Sequence, residues 1–232
     1  MTLRVVTFNI RHAEGPDGCV DLGQLARDCV VLDADVLALQ EVDCFVWRSG
    51  LRHQARVLAR KLGVRHEFVA ASRRHWFGRF GNAFFTRGEA RDVERRHLPG
   101  QPGRESRAVL LGRVVAAGLE VSVAATHLQA RHQSGGSPAA ALTQLDAAVD
   151  ALNRRPPPRV LLGDFNLGSE EAEPVLTAGG LEVAPSGPTF PAREPRVRID
   201  YVAFSGLAVE QVEVAHAAVS DHRPLVVDLA RL

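Results

Sequence analysis

An apolar stretch, Arg159-Val160-Leu161-Leu162, runs straight into Gly163-Asp164-Phe165-Asn166. The run reads as a buried strand. An acid and an amide follow at its carboxyl end, the edge at which open α/β sheets hold their ligands. The same pattern recurs along the chain. Val5-Val6-Thr7-Phe8 delivers Asn9, residues 35–39 deliver Gln40-Glu41, and residues 121–126 deliver His127. Residues 195–201 carry Ile199-Asp200, and Ser220-Asp221-His222 precedes a strand at 224–229. A chain that repeatedly places polar groups at strand ends must fold so that those ends converge. Metal-assisted phosphoester hydrolysis is the chemistry that uses such a set of carboxylates, amides and imidazoles.

Two halves of the chain follow one plan. The first runs from a strand at 3–10 through a helix near 21–32 to a strand at 35–39. The second runs from a strand at 119–126 through a helix near 138–153 to the strand at 159–162. Asp21 and Ser137 suit N-caps, with Pro138 at the first helical position. A further helix at 51–62 shows Leu51, Ala55, Leu58, Ala59 and Leu62 at helical spacing and closes at Gly63. Short strands are expected around Phe68 and at 83–85, 109–115, 202–204 and 209–214. Loops are marked at 15–18, 98–103, 131–136, 156–158 and 185–195. This predicts an α/β fold of two mixed sheets packed face to face with helices outside, internally duplicated, in a single domain over 1–232. A doubly wound single sheet is the alternative, and the antiparallel-looking run after Phe190 counts against it.

Composition narrows the class. With 232 residues, 46% of them hydrophobic, the chain can bury a core as an ordinary globular protein does. Cys19, Cys29 and Cys44 are odd in number and form no Cys-x-x-Cys pair, which argues against a disulfide framework or zinc cluster and for a reducing compartment. Charges interrupt every apolar run well short of a membrane span. Met1 stands so close to Asn9 that no signal peptide is expected. The expectation is a cytoplasmic monomer without stable membrane insertion. The net charge of +1 conceals an asymmetry: between Arg48 and Arg113 sixteen Arg/Lys face five Asp/Glu, whereas the remainder has twelve against twenty-two. The basic segment either decorates solvated faces or forms a rim that draws an anionic substrate toward an acidic floor.

The strand-end residues carry a resemblance. Thr7-Phe8-Asn9-Ile10, Leu39-Gln40-Glu41-Val42, Gly81-Asn82-Ala83-Phe84-Phe85, Thr126-His127-Leu128, 163–166, Ile199-Asp200-Tyr201 and Ser220-Asp221-His222 resemble, in order, the motifs of the endonuclease/exonuclease/phosphatase superfamily. Each alone is a weak pattern, but seven in order from Thr7 to His222 are hard to obtain by chance. The resemblance implies a four-layer α/β sandwich and a Mg²⁺ (or Mn²⁺) cofactor.

Read singly, Glu41 ends an apolar strand, where a carboxylate binds a cation or pairs with an arginine; the resemblance makes it the principal metal ligand. Oxygen ligands of this type suit a hard cation. Asn9 is expected beside it, contacting metal or phosphate, or else capping its own turn. Asp221 is implied near the metal or a second cation, and Asp43 either joins the site or holds the following loop. Asp164 is implied to orient and deprotonate the attacking water, Asn166 to donate to a non-bridging phosphate oxygen, and His127 to stabilise phosphoryl charge. Asp200 should pair with His222 and fix its tautomer. Either Asp164 or the Asp200–His222 pair acts as the base. Asn82 is expected to support Glu41 or His127 and to contact substrate. Gln144 faces either the site or solvent, and Trp47, Trp76, Phe77 and Phe80 form either core or a stacking rim. Superfamily members that repair abasic DNA carry an acid where this chain has Arg11, which is expected to contact a substrate phosphate instead. The substrate is expected to contain phosphate, nucleic acid being favoured by the basic segment. A lipid headgroup or small phosphorylated metabolite is the alternative, favoured by Arg11 and the compact chain.

Overall fold

The apolar run at the N-terminus forms β1 (Thr2–Asn9), whose residues from Val5 onward are buried on both faces. A strand covered on both sides must sit inside a layered structure. The computed structural model, which describes residues 1–100, 103–131 and 135–232, supplies those layers. Six strands join β1 in the first half: β2 (Val36–Cys44), β3 (Arg65–Arg74), β4 (Gly78–Thr86), β5 (Glu89–His97), β6 (Ala108–Ala116) and β7 (Leu119–His127). The second half adds β8 (Arg159–Asp164), β9 (Glu182–Val183), β10 (Asp200–Ser205), β11 (Leu207–Val214) and β12 (Leu225–Arg231). The helices are α1 (Leu22–Leu32), α2 (Gln54–Leu62), α3 (Ala139–Asn153) and α4 (Ser169–Ala178).

One sheet has the order β11-β12-β1-β2-β4-β3 and the other β5-β6-β7-β8-β10-β9. At the centre of each lies a parallel pair, β1 with β2 and β7 with β8. Antiparallel partners flank each pair, β12 and β4 in one sheet, β6 and β10 in the other. The duplicated plan read from the sequence is therefore present in both strand order and strand direction. Val5, Phe84 and Val227 from the first sheet pack against Leu110, Val123 and Val160 from the second to form the central core. Leu25 and Leu58 cover Phe8 and Leu39 on one outer face, and Leu145 and Leu176 cover Leu111 and Leu161 on the other. The result is the expected four-layer sandwich.

Register brings the chemistry together. In the parallel β1–β2 pair Asn9 stands opposite Gln40, one residue before Glu41. In the second sheet His127 stands opposite Asp164, and Asp164 opposite Asp200. Three functional candidates thus occupy one row across three adjacent strands.

Several boundaries differ from expectation. The helix expected from Leu51 begins at Gln54, because Leu51 adopts a left-handed conformation (φ 55°) and His53 serves as N-cap, its Nδ1 accepting from Arg56 N at 3.3 Å. The third helix starts at Ala139 rather than Pro138, and Ser137 Oγ accepts from Ala139 N. Three elements had no expectation at all: β5, α4 and the two-residue β9. The β5 edge strand is rich in Arg and Glu with no alternation, and α4 contains Pro174, which reads as a breaker. Glu170 and Glu171 in the first turn of α4, with Glu171 Oε2 accepting from Gly168 N, stabilise its start. The middles of two expected loops, residues 101–102 and 132–134, lie outside the described residues. No helix among the described residues is long and apolar enough to cross a membrane.

Candidate active site

The site begins with a fault in a strand. Pairing between β2 and β4 runs in register to Leu39 opposite Ala83 and resumes at Val42 opposite Gly81, leaving Gln40-Glu41 as a bulge. Glu41 takes φ 60°, a conformation a non-glycine residue adopts only when its surroundings impose it. The bulge frees its carboxylate from the ladder and turns it into a cavity of 340 Å³, which it lines with Asn9, His127, Asp164, Asn166, Asp221 and His222.

Asp164 is the hub. Its Oδ2 accepts from Asn9 Nδ2 at 2.9 Å and lies 3.5 Å from His127 Nε2 and 3.8 Å from His222 Nε2. Its Oδ1 accepts from Asn166 N at 3.0 Å, an Asx turn that fixes the carboxylate. Asn9 Nδ2 also approaches Glu41 Oε1 at 3.3 Å, while its Oδ1 accepts from Arg11 N. Asn9 thus caps its own turn and bridges two carboxylates. It faces them with its NH₂ and not with an oxygen. Asn166 Nδ2 donates to Leu128 O at 3.2 Å, so one of its two amide hydrogens is already committed to the fold.

His222 and Asp200 form the expected pair, with Nδ1 and Oδ2 2.9 Å apart, and Thr189 Oγ1 donates to the same oxygen at 2.6 Å. Burial alone would push the His222 imidazole down, but the carboxylates of Asp200 and Asp164 and the hydrogen bond to Asp200 outweigh it and raise it to about 10. Burial and the nearby Asp200 raise the Asp164 carboxyl to about 7, against the opposing pull of His222 and of hydrogen bonds from Asn9 and Asn166. His127 is different. Its Nδ1 lies 3.1 Å from Arg107 NH1, a group that can only donate, so Nδ1 accepts and Nε2 carries the proton. Burial and then the Arg107 charge hold this imidazole well below its usual range, and it stays neutral.

Arg107 has no motif in the sequence, nor has Thr189. Both are long-range partners of motif residues, which only the fold identifies. Arg48, Arg74 and Arg107 line the cavity opposite the carboxylates. Asp43 is fully buried and clamps Arg48 through two hydrogen bonds of 2.9 Å, which settles its place as the support of the following loop. Phe80 is buried between Arg48 and Arg74, whose guanidinium carbons lie 5.4 and 4.6 Å from its ring centre. Phe165 and Tyr201 stack at 5.0 Å beneath the row, and the Tyr201 hydroxyl donates to Leu167 O.

Other expected residues stand apart. Asn82 is buried and donates to Ala108 O at 2.9 Å, making a link between the sheets, and it is not among the residues that line the cavity. Arg11 also lies off the cavity wall. Its guanidinium pairs with Glu14 at 3.0 Å and approaches Asp221 at 3.9 Å, in a neighbouring cleft with Pro191 and Arg223. Gln144 is buried rather than exposed, accepting from Gln129 N and donating to Pro99 O. Trp47, Trp76 and Phe77 are exposed, whereas Phe80 belongs to the core. The basic segment is partly neutralised by ion pairs. At least eight of its sixteen cations form ion pairs: Arg48, Arg74, Arg87, Arg91, Arg95, Arg96, Arg107 and Arg113.

Comparison with known proteins agrees with this fold. A model of the endonuclease/exonuclease/phosphatase family matches residues 6–222. A UPF0294 protein of Vibrio vulnificus is 33% identical over 89 residues, a stretch covering 36% of this chain and 31% of that protein. The match therefore spans about a third of the curated relative. An endonuclease/exonuclease/phosphatase from Beutenbergia cavernae superposes with a TM-score of 0.82 at 25% identity, over 99% of this chain and 72% of that one. A mannosyl-6-phosphatase of Bacteroides thetaiotaomicron shares the fold with a TM-score of 0.76 at 20% identity, over 98% and 99% of the two chains.

Proposed function

The chain belongs to the endonuclease/exonuclease/phosphatase family, whose members are phosphoester hydrolases, and from that premise we propose that it is a divalent-metal-dependent phosphodiester hydrolase using in-line attack by water. One observation carries the reading. A single buried oxygen, Asp164 Oδ2, lies within 3.8 Å of an amide, a neutral imidazole and a charged imidazole, in a cavity that also holds Glu41. An attacking water beside Asp164 would be held by a carboxylate whose proton affinity suits a base at neutral pH. His222, held as an imidazolium by Asp200, is already protonated and so serves as a donor to the phosphoryl group, leaving Asp164 as the base. His127 offers its Nε2–H to a non-bridging oxygen, and the arginines opposite balance the charge that develops there.

The donor chemistry fits a hard cation. Glu41 and Asp221 bring carboxylate oxygens to the cavity wall and no cysteine lines it among the described residues. Asp164, Asp200 and His222 form a second compact group, with ligand atoms within 4.8 Å of one another, but His222, held as an imidazolium with Nδ1 bonded to Asp200, has no lone pair to offer a cation. Glu41, with Asp221, is therefore the favoured holder of Mg²⁺ or Mn²⁺. A cation bound there would screen phosphoryl charge and stabilise the leaving oxygen.

Nucleic acid is the proposed substrate, supported by the arginines of the cavity and its rim. The pairing of at least half of the basic segment supports the second reading, a lipid headgroup or small phosphorylated metabolite. Metal-dependent cleavage measured side by side on single-stranded DNA, duplex DNA, a lyso-phospholipid and an inositol phosphate separates them. Fastest turnover of either of the last two would reject nucleic acid.

A further inference from the structure

Beside the catalytic cavity lies a larger groove of 740 Å³, between the end of β3 and the residues that precede β6. It shares Arg74 and Glu105 with the cavity, so the two are continuous. Arg73, Arg79 and Arg104 line it, and among the described residues none of the three forms an ion pair. The one carboxylate in the groove, Glu105, is already neutralised by Arg74 and Arg107 and accepts from Ser72 Oγ.

The β3–β4 turn at the end of this groove carries aromatic rings in water. Trp76 is 94% exposed, Trp47 65% and Phe77 51%. Phe77 lies 6.4 Å from Trp47 and 5.7 Å from His75, ring centre to ring centre, so three rings form one cluster and Trp76 stands outside it. Burying rings of this size is strongly favourable, and the described residues leave more than half of each exposed. Unpaired cations along a groove, followed by exposed ring faces, match a strand that presents phosphates and bare bases in series. In a duplex the base faces are occupied by their neighbours and the rings have no partner. A lipid surface would use the rings but not a recessed cationic groove.

We propose that this face binds single-stranded nucleic acid, with phosphates along Arg73, Arg79 and Arg104 and unpaired bases on Trp47, Trp76 and Phe77. This assignment rests on the phosphodiesterase reading above and extends it to a strand leading away from the scissile phosphate.

The test uses the full chain. Binding of a labelled oligothymidylate and of a duplex of matched length is followed by fluorescence anisotropy in the Asp164→Asn background. Turnover of bis(p-nitrophenyl) phosphate is followed with Asp164 intact. The single strand should bind more tightly than the duplex. Trp76→Ala and Trp47→Ala should each weaken it on the order of 5- to 100-fold. Arg73→Ala and Arg104→Ala should each reduce the slope of log affinity against log salt by about 0.7. All four variants should keep parental turnover of the small diester, which also shows that they fold. Duplex bound as tightly as single strand, or aromatic variants binding the single strand as well as the parent does, would overturn the proposal while leaving the phosphodiesterase reading in place. So would Trp76-dependent capture on anionic phospholipid vesicles without oligonucleotide binding. A parent that cleaves no diester with Mg²⁺ would remove both.

Discussion

Replacing Asp200 by Asn keeps the shape of the side chain and removes its charge, and its effect should reach substrate chiefly through His222, with a lesser lowering of the Asp164 carboxyl that Asp200 otherwise raises. Asp200 is fully buried, and its Oδ2 is the common acceptor for His222 Nδ1 at 2.9 Å and Thr189 Oγ1 at 2.6 Å. Lifting an imidazole from 6.5 to about 10 corresponds to an interaction on the order of 5 kcal/mol between His222 and its acidic surroundings. Asp200 contributes both a charge and a hydrogen bond to that sum, and Asp164 a charge alone. The sign follows from the direction. His222 titrates higher folded than unfolded, so the stabilisation is complete below about pH 6.5 and is lost as pH rises through about 10. In Asp200→Asn burial should dominate, the imidazole should fall toward or below its usual range, and the variant should lose the imidazolium at neutral pH. We expect kcat to fall by about 10² or more at pH 7.5, and the alkaline limb of the kcat/KM profile to move acidward by at least one pH unit. Combining the change with His222→Ala should add little to His222→Ala alone. The assay is a pH–rate profile on a phosphodiester, with imidazole NMR to locate the His222 titration directly. An unmoved alkaline limb, or additive losses in the double variant, would refute the account of the pair.

Three further outcomes follow from the same geometry. Asp164, raised to about 7, must be deprotonated to act as base, so wild-type kcat/KM should climb as pH rises through about 7; a profile flat from pH 5 to 8 would contradict that role. Arg107→Met should free the His127 ring from its fixed tautomer and lower kcat roughly 10²-fold, and unchanged turnover would show that His127 needs no such positioning. Gly163→Ala would place a Cβ 2.0 Å from Thr126 O across the parallel β7–β8 pair; a loss of about 2–4 kcal/mol is expected, read as a drop in Tm, and an unaltered melting curve would show that the strands can separate there without cost.

The parts of this molecule that were legible in the sequence share a cause. Apolar runs such as 121–126 and 159–162 are buried on both faces by helices and by the opposite sheet, so their composition reports their environment directly, and the polar residue that ends each run is visible by contrast. His127 and Asp164 could be found this way, whereas Asp200 opens its strand and was visible through Ile199-Asp200-Tyr201 alone. Glu41 was found as a strand end, but its bulge was not, because the missing register depends on β4 and on Gly81 opposite. Arg107 and Thr189 were invisible for the same reason: each matters through a partner 20 or 11 residues away in sequence, His127 or Asp200, brought near only by sheet pairing. The basic segment misled by its count. Arg95 pairs with Glu67 on β3, and Arg155 with Glu94 on β5, contacts that no composition window can register. Among the cations that form no ion pair in the described residues, Arg73, Arg79 and Arg104 share one groove.

In the proposed reaction a divalent cation held at Glu41 enables Asp164 and His222 to cleave a phosphodiester. The most direct measurement is hydrolysis of bis(p-nitrophenyl) phosphate by wild type and Glu41→Ala as Mg²⁺ is titrated from excess chelator, with circular dichroism and Tm recorded for both. Wild type should be inactive in chelator and rise to saturation with Mg²⁺. Glu41→Ala should lose the stimulation while keeping its fold, since the change relieves carboxylate repulsion and opens no core cavity. Wild-type turnover that persists in chelator, or full stimulation of Glu41→Ala at limiting Mg²⁺, would contradict it.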